Sequence, residues 1–229
     1  MIKIAIFASG NGSNFEAIIK YFKKSNLVSE NKIKFYCISD KKAAYVLTRA
    51  KKLNIQAFYV PFEKTYDFMK KNKFNLAVLA GYMRILPEEV LNLSVFINLH
   101  PSLLPKYKGK NAIEQAFNAK EKETGVTVHY VTKEVDSGEI IEQKSVKIKE
   151  GMTLEELTYK IHKIEHKLLP KVIEKVIKKY SVLIVGSGAR EHAIAYKLKK
   201  SKRLNKLYLF KPNDGFKDIG EIIESNNYE

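Results

Sequence analysis

Short apolar runs recur through the first two thirds of the chain, at Ile2 to Ala8, Ile33 to Ser39, Ala57 to Val60, Leu76 to Ala80, Val95 to Leu99, Val126 to Val131 and Ile140 to Val146. Short β-rich runs of this kind read as strands, and Val95 to Ile97 reads as the end of a buried one. Stretches of helical spacing separate the earlier runs, near Asn14 to Lys23, Ala43 to Leu53 and Lys64 to Lys73. Strand, helix, strand alternation predicts an α/β domain whose sheet is mostly parallel and flanked by helices. The runs from Val126 onward, joined across Asp136 to Gly138, predict an antiparallel hairpin at one edge. Thr153 followed by Glu156 forms a capping box that opens a long helix to about Tyr180, with a kink expected at Pro170. A fresh strand then begins at SVLIVGSG, followed by a helix from about Glu191 and the strand LYLF. This repeats the opening plan of the chain and places a boundary near residue 181, between domains 1–180 and 181–229. The second is too small to be expected to build an independent core.

The single cysteine, Cys37, lies in an apolar run and reads as a buried small hydrophobe. One thiol builds neither an intramolecular disulfide nor a structural zinc site, which points to a reducing, cytoplasmic setting. No apolar run approaches the roughly 20 residues that span a bilayer, and the Gly-broken N-terminus does not resemble an export signal. The net charge of +16 raises the question of nucleic acid, but only Arg49, Arg84, Arg190 and Arg203 are arginine, so 37 of the 41 basic residues are lysine. Lysine spread over every element is not a base-reading or phosphate-clamping surface. The expectation is small-molecule substrates, drawn in by the positive field, with neither nucleic acid nor membrane as partner.

Chemistry concentrates in a few places. In NLHPSLLPKYKG, Asn98 and His100 are two apart on a strand end, so they share a side. Pro101 then stops the pairing. An amide donor beside an imidazole suits a reaction in which a carbonyl oxygen becomes negative; a polar strand end running into a Pro-rich loop is the plainer alternative. The loop ASGNGSNF lies between a strand and a helix, where Gly10 and Gly12 permit a tight turn and Ser13 is expected as N-cap. That arrangement is an anion seat. Phe15 replaces the third glycine of a dinucleotide fingerprint, which weakens an NAD reading. HKIEH matches the H-x-x-E-H zinc-protease string. On a helical wheel, however, Glu165 shares the face of Ile161, Ile164, Leu168 and Val172, while His162 and His166 flank it. A carboxylate on an apolar stripe implies a ligand or a donor. His129 alternates with apolar neighbours and reads as a packed strand histidine. Asp136, at a turn, is unremarkable by itself.

Taken in order, IFASGNGSN, LAGYMRIL, INLHPSLLPKYKG, GVTVHYV, EVDSGEII and IEH resemble the phosphoribosylglycinamide formyltransferases, folate-dependent enzymes of purine synthesis with a Rossmann-like fold. The likeness covers residues 1 to about 180. It implies catalysis by Asn98, His100 and Asp136. The ribotide would be held by Gly10, Asn11, Gly12, Ser13 and Asn14 together with His162, Lys163, Ile164 and Glu165. The cosubstrate 10-formyltetrahydrofolate would meet Met83, Arg84, Ile85, Leu86, Asn98, Thr132, Lys133, Glu134, Val135 and Asp136; no metal is implied. Many members carry an arginine after the third strand for the folate tail. Here the segment is PFEKTYDF, and Lys64 is the candidate replacement. In the implied reaction the amine attacks the formyl carbon directly, Asn98 and protonated His100 donate to the oxyanion, and Asp136 favours the imidazolium. Formyl-folate hydrolases and initiator-tRNA formyltransferases share the same three residues and are the nearest alternatives. From Ser181, VLIVGSGAREHAIAYKL is similar to the start of phosphoribosylamine-glycine ligase, without its ATP-binding body. A fusion remnant or an interrupted gene is expected, without ligase activity.

Overall fold

Every apolar run becomes a strand: β1 (Ile2–Phe7), β2 (Ile33–Ser39), β3 (Gln56–Tyr59), β4 (Leu76–Leu79), β5 (Val95–His100), β6 (Glu123–Tyr130) and β7 (Ile140–Lys147). This computed structural model describes residues 1–25, 32–178, 180–201 and 204–223. The chain divides into two compact units, Met1–Ile173 and Glu174–Glu229.

In the first unit the strands form one sheet in the order β3-β2-β1-β4-β5-β6-β7. The first five are parallel to their neighbours, and β5-β6 and β6-β7 are antiparallel. All four residues of β4 are buried, as a strand covered on both faces requires. The edge strand β7 has no fully buried residue. The helices are α1 (Ser13–Phe22), α2 (Tyr45–Lys52), α3 (Thr65–Asn72), α4 (Glu88–Leu91), α5 (Ala112–Asn118) and α6 (Leu154–Ile177). Of these, α4 and α5 are too short to show a clear period in sequence. Amphipathic spacing places them: α1 buries Phe15, Ile18, Ile19 and Phe22. The capping box forms as expected, with Thr153 Oγ1 accepting from the Glu156 amide at 3.2 Å and Glu156 Oε2 accepting from the Thr153 amide at 3.0 Å. Pro170 is buried inside α6, which continues to Ile177.

Strand order reverses between β1 and β4, and in open α/β sheets ligands bind in the crevice outside such a switch point. The loops leaving β1, β4 and β5 all open there. Ser9, after β1, donates its amide to the Gly81 carbonyl after β4 at 3.0 Å, so the first two loops are joined.

The second unit contains β8 (Tyr180–Val185), α7 (Ala189–Lys199), β9 (Leu204–Phe210) and β10 (Glu221–Ile223), with a parallel sheet in the order β10-β9-β8. Against the expectation that so short a segment builds no core, Ile184, Ala195, Leu207, Leu209 and Phe216 form a buried cluster. The βαβ turn supplies it by folding one helix against its own strands.

Candidate active site

The register of β5 against β6 sets Asn98 opposite His129 and His100 opposite Thr127. Beyond β6 the chain turns, and Asp136 adopts a left-handed φ of 48°. Two residues later a side chain at Gly138 would place its Cβ 1.8 Å from the Tyr130 carbonyl, so only glycine lets the turn close. The turn returns Asp136 to the end of β5. Its Oδ2 lies 3.3 Å from His100 Nδ1 and accepts the Gly109 amide at 2.8 Å. Its Oδ1 accepts from Asn98 Nδ2 at 3.2 Å and lies 3.4 Å from His129 Nε2. The carboxylate side chain is 8% exposed. Burial pushes its pKa up, but the hydrogen bond from His129, the Gly109 amide and the charges of both histidines outweigh it, and the net shift is downward.

His100 is buried, and Nε2 donates to the Tyr107 carbonyl at 2.7 Å, so the ring is tied at both nitrogens. His129 Nδ1 donates to the Tyr130 carbonyl at 2.8 Å, and Nε2 lies 3.2 Å from Asn98 Nδ2 and 3.4 Å from Asp136 Oδ1. His129 is packed in its strand, as its alternation predicts, and it is also a member of the site. Nothing local in VTVHYV distinguishes those two roles, because the contact depends on strand register and on the position of a distant turn. The Gly109 amide and the Tyr107 carbonyl were equally invisible, being backbone groups.

The Gly10–Asn14 loop forms the second part. Gly12 has φ 76° and is itself the N-cap of α1; Ser13 is the first helical residue and caps nothing. The expected Ser13 cap is thereby corrected: a Cβ on Gly12 would stand 2.3 Å from Val46 Cγ2, so tight packing, not hydroxyl chemistry, decides where the helix starts. Asn14 Nδ2 donates to Glu165 Oε2 at 2.9 Å, and His162 Nδ1 donates to the same oxygen at 2.9 Å. Glu165 is buried on the apolar face of α6, as the helical wheel indicates. The hydrogen bond to Glu165 raises the pKa of His162, against burial; for His166 burial dominates and lowers it. Asn14 Oδ1 is buried without a hydrogen-bond partner among the described residues. Lys163 is exposed, with Nζ 4.4 Å from the centre of the Tyr159 ring, and Ile164 is partly buried.

The third part follows β4. Met83 and Ile85 are exposed, whereas Leu86 packs into the core and leaves its main chain for any ligand contact. Asp40, with its side chain wholly buried, accepts from Ser9 Oγ at 2.6 Å and from Arg84 Nε at 3.1 Å. The Met83 amide in turn donates to Ser9 Oγ at 3.0 Å. Asp40 thus fastens a loop that Arg84 alone would leave mobile, a role with no sequence signal. Thr132, Lys133, Glu134 and Val135 are exposed on the loop that leads to Asp136, and Lys64 is exposed at the end of a 3-10 turn, Phe62–Lys64. Cys37 is buried, and burial pushes its thiol up to about 12, so it is chemically quiet.

Residues 2–173 match the family model described as formyl transferase, and residues 180–229 match that of the phosphoribosylglycinamide synthetase N domain. The phosphoribosylglycinamide formyltransferase of Bacillus subtilis (strain 168) is 41% identical over 191 residues, covering 77% of this chain and 95% of the relative. A crystal structure of phosphoribosylglycinamide formyltransferase from Bacillus halodurans superposes with TM-score 0.68 at 37% identity, over 77% of this chain and 96% of that one. Glycinamide ribonucleotide transformylase 1 from Geobacillus kaustophilus gives TM-score 0.71 at 37% identity, over 77% and 98%.

Proposed function

The chain belongs to the formyl transferase family, and on that footing we propose that it transfers the formyl group of 10-formyltetrahydrofolate to the amine of glycinamide ribotide. The attacking nitrogen forms a bond to the formyl carbon, and the carbonyl oxygen takes up negative charge. Collapse breaks the bond to the folate nitrogen, and one proton passes from the attacking to the departing nitrogen.

The single observation that carries this reading is the contact of Asp136 with both Asn98 and His100 at the edge of the switch-point crevice. Asn98 Nδ2 stands 3.2 Å from each of its two partners, long for a hydrogen bond. Such bonds tighten or exchange when the reacting complex forms, so the amide is placed to donate to an oxyanion. His100, cross-tied at both nitrogens, needs no reorganisation to hold a charge there. Asp136, its pKa lowered, is anionic at neutral pH, attracts a protonated ring and orders the proton transfer. Gly10, Asn11, Gly12, Ser13 and Asn14 seat the ribotide phosphate, with Glu165 and His162 beside them. Met83 to Leu86 and Thr132 to Asp136 receive the folate, and Lys64 meets its tail. Direct acyl transfer of this kind assigns no role to a metal.

No helix among the described residues is long and apolar enough to cross a membrane. We place the reaction in the cytoplasm with small-molecule partners and no nucleic acid, and assign it to residues 1–180, with 181–229 a separate ligase-like segment. Supplying formyl-folate with and without glycinamide ribotide tests the reading. Ribotide-dependent formyl transfer is expected; folate release without ribotide would make the protein a hydrolase instead.

A further inference from the structure

Arg49 lies on α2, outside every motif above, and all its nitrogens are committed. Nε donates to the Asn11 carbonyl at 2.8 Å, Nη2 donates to Asn11 Oδ1 at 2.9 Å, and Nη1 pairs with Glu16. Its carbon Cζ also stacks 5.0 Å from the centre of the Tyr45 ring. Three residues earlier, the Val46 amide donates to the Gly10 carbonyl at 3.1 Å, and the Val46 side chain abuts Gly12. One helical turn of α2 therefore grips the backs of Gly10, Asn11 and Gly12.

The consequence follows from peptide planarity. In a trans peptide the N–H of the next residue points opposite to the carbonyl. With the carbonyls of Gly10 and Asn11 both turned toward α2, the N–H groups of Asn11 and Gly12 turn away from it. They join the amides of Ser13 and Asn14, orphaned at the start of α1 because no turn precedes them. Successive N–H groups turned to one side make an anion nest. Each Arg49 nitrogen already has a partner, Nε and Nη2 in Asn11 and Nη1 in Glu16, so the planar fork faces the back of the loop with its charge paired.

We propose that Arg49 is a positioning residue: by clamping Asn11 from behind it holds the loop in the form that receives the ribotide phosphate. The proposal rests on the ribotide reading above and adds a residue that touches no substrate. It separates the cation that shapes the seat from the amides that bind.

Titration of the full chain with inorganic phosphate, read at the Asn11 and Gly12 amide resonances, is the test. Arg49→Met is expected to weaken phosphate by about tenfold or more, the loss typical of hydrogen bonds to a charged group. The ribotide KM should rise in parallel while the formyl-donor KM stays within about twofold, and Arg49→Lys, which keeps the charge but not the planar fork, should fall between. Glu16→Gln releases Nη1 but keeps both Asn11 contacts, so phosphate affinity should hold within about twofold. Wild-type phosphate affinity in Arg49→Lys, or tenfold tighter binding in Glu16→Gln, would overturn the proposal. The first would show that the clamp is dispensable, and the second that Arg49 is itself a ligand. A wild-type protein that binds phosphate at these amides yet shows no ribotide-dependent transfer would sink the functional reading and leave the clamp standing.

Discussion

Asn14 and Glu165, 151 positions apart in the chain, meet through a 2.9 Å hydrogen bond that joins the loop after β1 to the buried face of α6. His162 addresses the same carboxylate oxygen, which leaves Oε1 without a partner among the described residues. A carboxylate tied at one oxygen presents the other in a fixed direction. The apolar stripe of α6 carries this acid because a partner from another element satisfies it.

Glu165→Gln preserves shape and removes the charge. The ribotide KM should rise by about 10- to 100-fold, the range for one charge-assisted hydrogen bond, with the formyl-donor KM unchanged. Steady-state kinetics varying each substrate separately checks this; equal rises in both constants would move Glu165 out of the ribotide seat.

The pairing of His162 with Glu165 has a sign in pH. The pKa of His162 is raised above its ordinary 6.5, so its contribution to stability is fully present below that value. It is lost as pH rises through the raised value. The thermal midpoint of wild type should therefore fall, relative to His162→Ala, as pH increases above 6.5. His166 on the same helix shifts the other way and stays neutral in this window, and Arg49 and Asn14, which face the pair from α2 and α1, do not titrate. Parallel midpoint curves for the two proteins would dismiss the coupling.

Asp136→Asn removes the anion that contacts Asn98, His100 and His129. Turnover should drop about 10²- to 10³-fold, the scale of one preorganised electrostatic group, with substrate KM values within about threefold. The carboxyl's lowered pKa means that its stabilisation is present above the ordinary 3.8 and disappears as pH falls through the folded value. Acid unfolding followed by circular dichroism should thus be less steep in the variant below pH 3.8.

His129→Phe keeps the strand position filled with a ring and deletes its contacts to Asn98, Asp136 and the Tyr130 carbonyl. Turnover should fall by roughly tenfold, equivalent to about 1.4 kcal/mol, while the fold is retained. Wild-type turnover would restore the plain reading of His129 as a packing residue.

Gly12→Ala must accept a left-handed backbone and a side chain where Val46 already sits. The first costs about 1–2 kcal/mol and the second about 1–3 kcal/mol, so a loss of roughly 2–5 kcal/mol in denaturant titration is expected. A loss no larger than about 1–2 kcal/mol, that of the left-handed backbone alone, would mean that Val46 moves aside without resistance.

Much of this molecule is written locally. The apolar runs from Ile2 to Val146 specify strands, and those buried on both faces, such as β4, are the unbroken ones, while Thr153 with Glu156 starts α6 because capping is a contact within four residues. Asn98 and His100 share a side by strand pitch alone, and Glu165 faces inward by helical pitch alone. What the chain could not disclose by itself are the contacts made across elements. The meeting of Asp136 with His129 needs the β5-β6 register and a turn closed at Gly138. The start of α1 at Gly12 in place of a Ser13 cap needs Val46, the outward stacking of Lys163 needs Tyr159, and the anchoring of Asn11 needs Arg49. Periodicity is a property of neighbours in sequence and can be read from them. The partner of a buried polar group is chosen by which distant element comes within about 3 Å, and that is settled only when the sheet assembles.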